Sequence, residues 1–195
     1  MISLFKRKKL KGKAADEMQA MDDVTQTLLY PSENDSEKTL CFDSCETDTT
    51  EIAGYMSIGT RNNQQDSVRF DHNEFSTVCV VCDGMGGEKA GEVASATACQ
   101  LIDKFFHRDV NEEMSESAAK AVIFSAISAA NAKVYSMAKE NPDYHGMGTT
   151  LVLAVVVGEN MHIVNIGDSR IYMAEKKAVK QLTRDHTLVQ NLLDR

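Results

Sequence analysis

Three aspartates stand in the contexts of this chain that could support chemistry. Asp83 follows the apolar run Val78-Cys79-Val80-Val81-Cys82 and precedes Gly84-Met85-Gly86-Gly87. Asp66 follows Arg61-Asn62-Asn63-Gln64-Gln65, and Asp168 stands in Asn165-Ile166-Gly167-Asp168-Ser169-Arg170. An unpaired carboxylate is costly to bury. An acid at the end of a buried strand therefore implies a cleft, with a cation or a hydrogen-bond donor facing it. Carboxylates at strand ends beside glycine-exposed carbonyls, without a His or Cys cluster, favour a hard cation such as Mg²⁺ or Mn²⁺ over zinc or copper. Taken singly, each aspartate is more readily a turn cap; the case rests on three of them in like settings. Arg61 adds a planar guanidinium fork that matches two phosphate oxygens, although a surface arginine is the plainer reading of that residue alone.

Other chemistries fit less well. A P-loop needs Lys followed by Ser or Thr, and Lys89 is followed by Ala90. A dinucleotide loop counted from Gly84 needs glycine where Lys89 stands. A triad of Ser169, His186 and an aspartate lacks a nucleophile elbow. Cys79 and Cys82 spell C-x-x-C, but inside a strand they point to opposite faces, which favours core packing over redox or zinc chemistry. Cys41 and Cys45 lack a second ligand pair for zinc.

The elements that must position these residues can be read from pattern. The chain has 195 residues, 43% hydrophobic, with a formal net charge of −8, so nucleic acid is not an expected partner. Five cysteines, with no signal-like apolar segment and no apolar run of membrane-spanning length, point to free thiols and a cytoplasmic setting. Residues 1–50 are expected to be a disordered charged tail: six of the eight residues from Lys6 to Lys13 are basic, and Lys38 is the one basic residue from Ala14 to Thr50. The basic start, with Ile2, Leu4 and Phe5, has the makings of a contact with an anionic membrane, but a solvated tail is the simpler reading. Thr25 and Thr27, after Asp22-Asp23, are candidate kinase targets in that tail.

From residue 51 the pattern is that of a folded domain. A first strand is expected to end at Gly59, and a polar loop to run from Thr60 to Asp66. A hairpin follows, with strands Ser67–Asp71 and Phe75–Cys82. Amphipathic helices are expected over about Glu88–His107 and Glu112–Lys139, the latter stopped by Asn141-Pro142. Further strands are expected over Thr149–Val157, Met161–Ile166, Arg170–Met173 and Val179–Thr183, then a helix start at Asp185–Leu193. Strands, a helix pair and strands again indicate an α+β fold with mostly antiparallel sheets.

In order along the chain, Arg61 to Asp66, Asp83-Gly84-Met85-Gly86-Gly87, Gly91-Glu92 with Ala94-Ser95, Gly146 to Thr150, Gly167 to Arg170, and Thr183 with Asp185-His186 resemble the protein phosphatase 2C family, in its bacterial form. The resemblance runs from Gly54 to Leu193. It implies a four-layer α-β-β-α sandwich of two antiparallel sheets flanked by helices. It also implies a serine/threonine protein phosphatase with two Mg²⁺ or Mn²⁺ ions and a third, weaker metal site. By that resemblance Asp83 and the Gly84 carbonyl hold metal, Asp66 belongs to the metal shell beside Gln65, and Asp168 serves the third site. Arg61 binds the substrate phosphate, with Gly86, Gly87 and Thr149 in support. Phosphorylated proteins are the implied substrates, and a cognate Ser/Thr kinase the implied partner. The family's later Asp-Gly and Asp-Asn metal motifs are not matched, since Asp-Gly occurs once, at Asp83, and Asp-Asn does not occur. Residues 51–195 are therefore expected to be a C-terminally incomplete catalytic domain. The alternative reading is a non-catalytic, phosphatase-like interaction protein.

Overall fold

A computed structural model of the chain describes residues 2–6, 39–41, 45–46, 50–110, 114–175 and 178–194. Residues 1–60 and 61–195 form two compact units. In the first unit, β4 (Thr50–Ser57) pairs antiparallel with β1 (Ile2–Lys6), β2 (Thr39–Cys41) and β3 (Cys45–Glu46). The parts of residues 1–50 that are described are thus strands, not the disordered tail expected from charge. The physical reason is local: β4 presents backbone donors and acceptors along its length, and short segments with alternating apolar residues, such as Ile2 and Leu4, can meet them. The rest of that expectation, including Thr25 and Thr27, lies outside the described residues.

The second unit is built on a hairpin. Strand β5 (Asp66–His72) pairs with β6 (Ser76–Met85). Asn73 makes the turn: its side-chain oxygen accepts from the N–H groups of Phe75 (2.9 Å) and Ser76 (2.8 Å), and its amide donates to the Val110 carbonyl at 2.6 Å. Beyond β6 come β7 (Gly148–Thr149), β8 (Leu151–Val157) and β9 (Asn160–Ile166), giving the order β5-β6-β8-β9 with β7 also on β6. Strands β10 (Tyr172–Glu175) and β11 (Ala178–Gln181) form a separate hairpin, followed by α3 (Leu188–Leu193). Every strand pairing described is antiparallel. With three α-helices among the described residues the chain is an α+β protein, as the sequence indicates.

Helices α1 (Gly87–Asp109) and α2 (Glu116–Glu140) supply the core. Alternate residues of β6 (Val78, Val80, Cys82) and β8 (Leu151, Leu153, Val155) are buried with an α1 stripe of i,i+4 spacing: Ala90, Ala94, Ala98, Ile102 and Phe106. Helix α2 adds Ile123, Ala126, Ala130 and Val134. Its start is capped by Ser115, whose hydroxyl accepts the Ala118 N–H at 3.3 Å. By length and composition alone α2 is apolar enough to cross a bilayer, which the sequence reading did not anticipate. Its alanines raise its hydropathy, and its apolar stripe is engaged in the core. Cys79 and Cys82 are both buried and outside any disulfide, and Cys82 alone of the two joins the helix-facing core, as opposite faces require. The neighbouring Cys99 thiol is held well above its ordinary range, first by hydrogen-bond contact with Cys82 and then by burial.

Helix α1 and β6 meet at two glycines. A Cβ on Gly84 would lie 2.0 Å from the Gly91 carbonyl oxygen, and one on Gly91 would lie 2.9 Å from the Gly84 carbonyl carbon. Both obstacles are backbone, so they cannot swing aside. Alanine at Gly91 gains about 0.5–1 kcal/mol of helix propensity, but overpacking costs about 1–3 kcal/mol, so the net effect is unfavourable. We expect Gly91→Ala to lower the urea midpoint, and Gly84→Ala to lower it further, at unchanged m-value. Equal midpoints for parent and both variants would show that the two backbones are not in this contact.

Candidate metal centre

Two expectations about the acids change in the structure. Asp66 was expected in a loop, but it is the first residue of β5. Asp83 was expected to end its strand, but β6 runs on through Met85, because Gly148 and Thr149 give it a ladder partner past the end of β8. The consequence is a specific juxtaposition: Asp66 and Asp83 are direct cross-strand partners.

The hydrogen-bond pattern shows how close that pairing is. Thr150 donates its N–H to the Asp83 carbonyl at 2.9 Å, and the Asp83 N–H is bonded to the Thr150 hydroxyl at 3.0 Å. The backbone groups of Asp83 therefore face the Thr150 side. The next residue, Gly84, turns its N–H the other way, to the Gln65 carbonyl at 3.1 Å. Asp66 and Asp83 thus form a non-hydrogen-bonded pair, the geometry in which Cα atoms approach to about 4.5 Å and side chains stand closest. Like charges so placed are destabilising. Burial, and then the charge and hydrogen bond of Asp83, push the Asp66 carboxyl above its ordinary range, and the Arg61 guanidinium partly offsets this.

The loop before β5 is fastened from below. The Ser95 hydroxyl of α1 donates to the Gln65 carbonyl at 2.6 Å and lies 3.0 Å from the Ser67 hydroxyl. The Gln64 side chain accepts the Asp66 N–H at 3.1 Å. Thr149 donates its hydroxyl to the Asp83 carbonyl at 3.0 Å. Gly86 precedes α1 with φ 138°, a backbone that suits glycine, and Gly87 is the first helical residue. Arg61 is exposed, and Gly84 is buried against Gly91.

Asp168 lies two residues past β9, exposed, in a turn laced to the segment Thr183–His186. His186 donates its N–H to the Gly167 carbonyl at 2.9 Å, and Asn165 donates to the Arg184 carbonyl at 2.7 Å. Arg170 grips Asp185 with two nitrogens at 2.9 and 2.6 Å, which holds the Asp185 carboxyl below its ordinary range. So Ser169 and His186 frame this turn rather than form a triad, because Ser169 is bonded to Thr150 at 2.8 Å.

Among the described residues no three Asp, Glu, His or Cys side chains converge on one point. Asp66 and Asp83 make a pair, with Asp168 outside it. The donors at that pair are oxygens, and a divalent cation would relieve their repulsion, so the residues suit a hard ion such as Mg²⁺ or Mn²⁺. Sequence reasoning picked out Thr149 but missed Thr150 and the bonding role of Ser169. Their signal lay in the Gly-Thr-Thr and Gly-Asp-Ser-Arg stretches, where a hydroxyl stands two residues after a glycine.

The chain is 33% identical over 132 residues to the serine/threonine phosphatase stp of Listeria monocytogenes, covering 68% of this chain and 52% of that one. It therefore spans about half the length of that relative. Its fold is similar to the crystal structure of the serine/threonine phosphatase Stp1 from Staphylococcus aureus, with a TM-score of 0.64 and 30% identity over 80% of this chain and 57% of that one. It is also similar to the catalytic domain of the phosphatase PstP solved with two manganese ions, with a TM-score of 0.57 and 35% identity over 69% of this chain and 55% of that one. The family model for protein phosphatase 2C matches residues 53–191, a span that holds Arg61, the acid pair, the glycine corner and the Asp168 turn together, and the chain belongs to that family.

Proposed function

We propose that this chain acts in the hydrolysis of phosphoserine and phosphothreonine monoesters on proteins, with Mg²⁺ or Mn²⁺ held at the Asp66–Asp83 pair. The observation that carries the reading is the direct opposition of two carboxylates across β5 and β6. A fold has no reason to keep such a pair for its own stability. When bound, the divalent ions would supply Lewis-acid chemistry, activating water and neutralising charge that develops on the phosphoryl group. The residues do the positioning. Asp83 and the Gly84 carbonyl are the proposed direct ligands, with Asp66 and Gln65 beside them and Asp168 serving a further, weaker ion. Arg61 would orient the phosphate through two parallel hydrogen bonds. Thr149, Gly86 and Gly87 keep the corner in shape. A Ser/Thr kinase is the matching partner, since it makes the substrate, and buried cysteines outside any disulfide support a reducing, cytoplasmic setting.

One observation favours a second reading, a phosphate- or phosphoprotein-binding module without turnover. No third acidic ligand converges on the pair among the described residues. Release of phosphate from a phosphothreonine peptide in Mn²⁺, absent in EDTA, decides between the two.

Metal binding is testable apart from turnover. In EDTA, Asp83→Asn should be at least as stable as the parent, because it removes like-charge repulsion. Mn²⁺ should raise the melting temperature of the parent, by about 2.7 kcal/mol of stabilisation at a hundredfold excess over Kd, and leave Asp83→Asn unmoved. An equal Mn²⁺ shift in both proteins would place the metal elsewhere.

Arg61 is tested by ligand affinity. Arg61→Ala should weaken binding of a phosphothreonine peptide about tenfold or more, the span of a lost charge-assisted bond of about 1.5–3 kcal/mol. Arg61→Lys should recover part of it, since an ammonium cannot reproduce the fork. Unchanged affinity in both variants would assign Arg61 to the solvent-facing surface.

A further inference from the structure

The ladder on the Thr150 side of Asp83 is irregular at one bond. Residues that exchange backbone bonds across an antiparallel pair donate in both directions. Thr150 gives its N–H to the Asp83 carbonyl, but the Asp83 N–H goes to the Thr150 side chain, at 3.0 Å. The Asp83 N–H therefore depends on one rotatable hydroxyl.

That hydroxyl is held from the Asp168 turn. Ser169 Oγ lies 2.8 Å from Thr150 Oγ1. Thr150 Oγ1 already accepts one N–H, and a hydroxyl has a single proton to give. Either hydroxyl can supply the proton of this bond; when Thr150 donates it, the Thr150 oxygen becomes a better acceptor for Asp83. The methyl arm of the same side chain lies close to Gly167, where it takes the space a Cβ would need: at φ 103° such a Cβ would lie 2.7 Å from Thr150 Cγ2. Ser169 thus binds the hydroxyl of Thr150 and Gly167 leaves room for its methyl, and Asp168 is the residue between them.

We propose that Ser169 is a positioning residue. Through the Thr150 hydroxyl it sets the Asp83 backbone, and it ties the turn that carries Asp168 to the strand that carries the acid pair. The geometry stands by itself; its purpose rests on the reading of these acids as cation-facing. The sequence reading weighed Ser169 as a nucleophile, but its partner is a hydroxyl, which is no general base.

The test is amide hydrogen exchange of the 195-residue chain by NMR, in EDTA, for the parent, Ser169→Ala, Ser169→Thr and Thr150→Val. Exchange at Asp83 is read against the amides of Val78 and Val80 on the same strand. Ser169→Ala should speed exchange at Asp83 about threefold to tenfold relative to those amides, the span of one neutral hydrogen bond. Ser169→Thr, which keeps the hydroxyl, should restore the parent rate. Thr150→Val should speed it at least as much as Ser169→Ala. A residue that mattered only for global stability would shift all three amides together, and that result overturns the proposal. So does an Asp83 rate in Ser169→Ala equal to the parent's. Repeating the parent measurement in Mg²⁺ separates the two readings: if Mg²⁺ slows no amide near Asp83 or Asp168, the cation reading fails, while the hydroxyl link is judged by the EDTA result alone.

Discussion

Two negative charges set directly opposite each other dominate this structure. Asp66 and Asp83 meet at a non-hydrogen-bonded position of the β5–β6 ladder, where side chains stand closest. Left to itself, a hairpin would relieve that contact by fraying at its open end. Here it does not, because the end is fastened on both sides. Ser95 holds the Gln65 carbonyl from α1, and Gly84 holds the same carbonyl from β6. On the other side, Thr149 and Thr150 bind the Asp83 backbone. The repulsion is confined to the carboxylates, where a cation can answer it.

The glycines follow from this confinement. For α1 to place Ser95 beneath the β5 end, the helix must start immediately after β6 and turn back over it. Its second turn then lies on the strand it has just left, with Gly91 on Gly84 and no room for a side chain on either. The glycine-rich corner is thus a packing requirement first, and a source of bare backbone near the acids second.

The Asp168 turn is attached by a different kind of contact. It depends on polar lacing to the Thr183–His186 segment, led by the Arg170–Asp185 fork. Such lacing is directional, and it places the turn without a hydrophobic core of its own. The hydroxyl pair Thr150–Ser169 is where this polar framework touches the apolar sheet that carries the acids.

Much of this was legible in the sequence. The apolar run before Asp83 marks a buried strand, the i,i+4 stripe of α1 marks a sheet-facing helix, and Asn73 marks a hairpin turn, because each depends on neighbours a few residues away. The ordered motifs around Arg61, Asp83, Gly148, Asp168 and Thr183 carried the family for the same reason. Register was not legible. Whether Asp66 faces Asp83 or lies in a loop before it depends on which strand end is held, and the groups that hold it, Ser95, Thr149 and Thr150, come from later in the chain. The role of Thr150 was hidden likewise, since it rests on Ser169 binding, beside Gly167, a side chain that sequence alone leaves free to rotate. Local pattern determined which residues are buried and which could do chemistry; the partner of each backbone N–H, and with it the spacing of the two charges, was decided by tertiary structure.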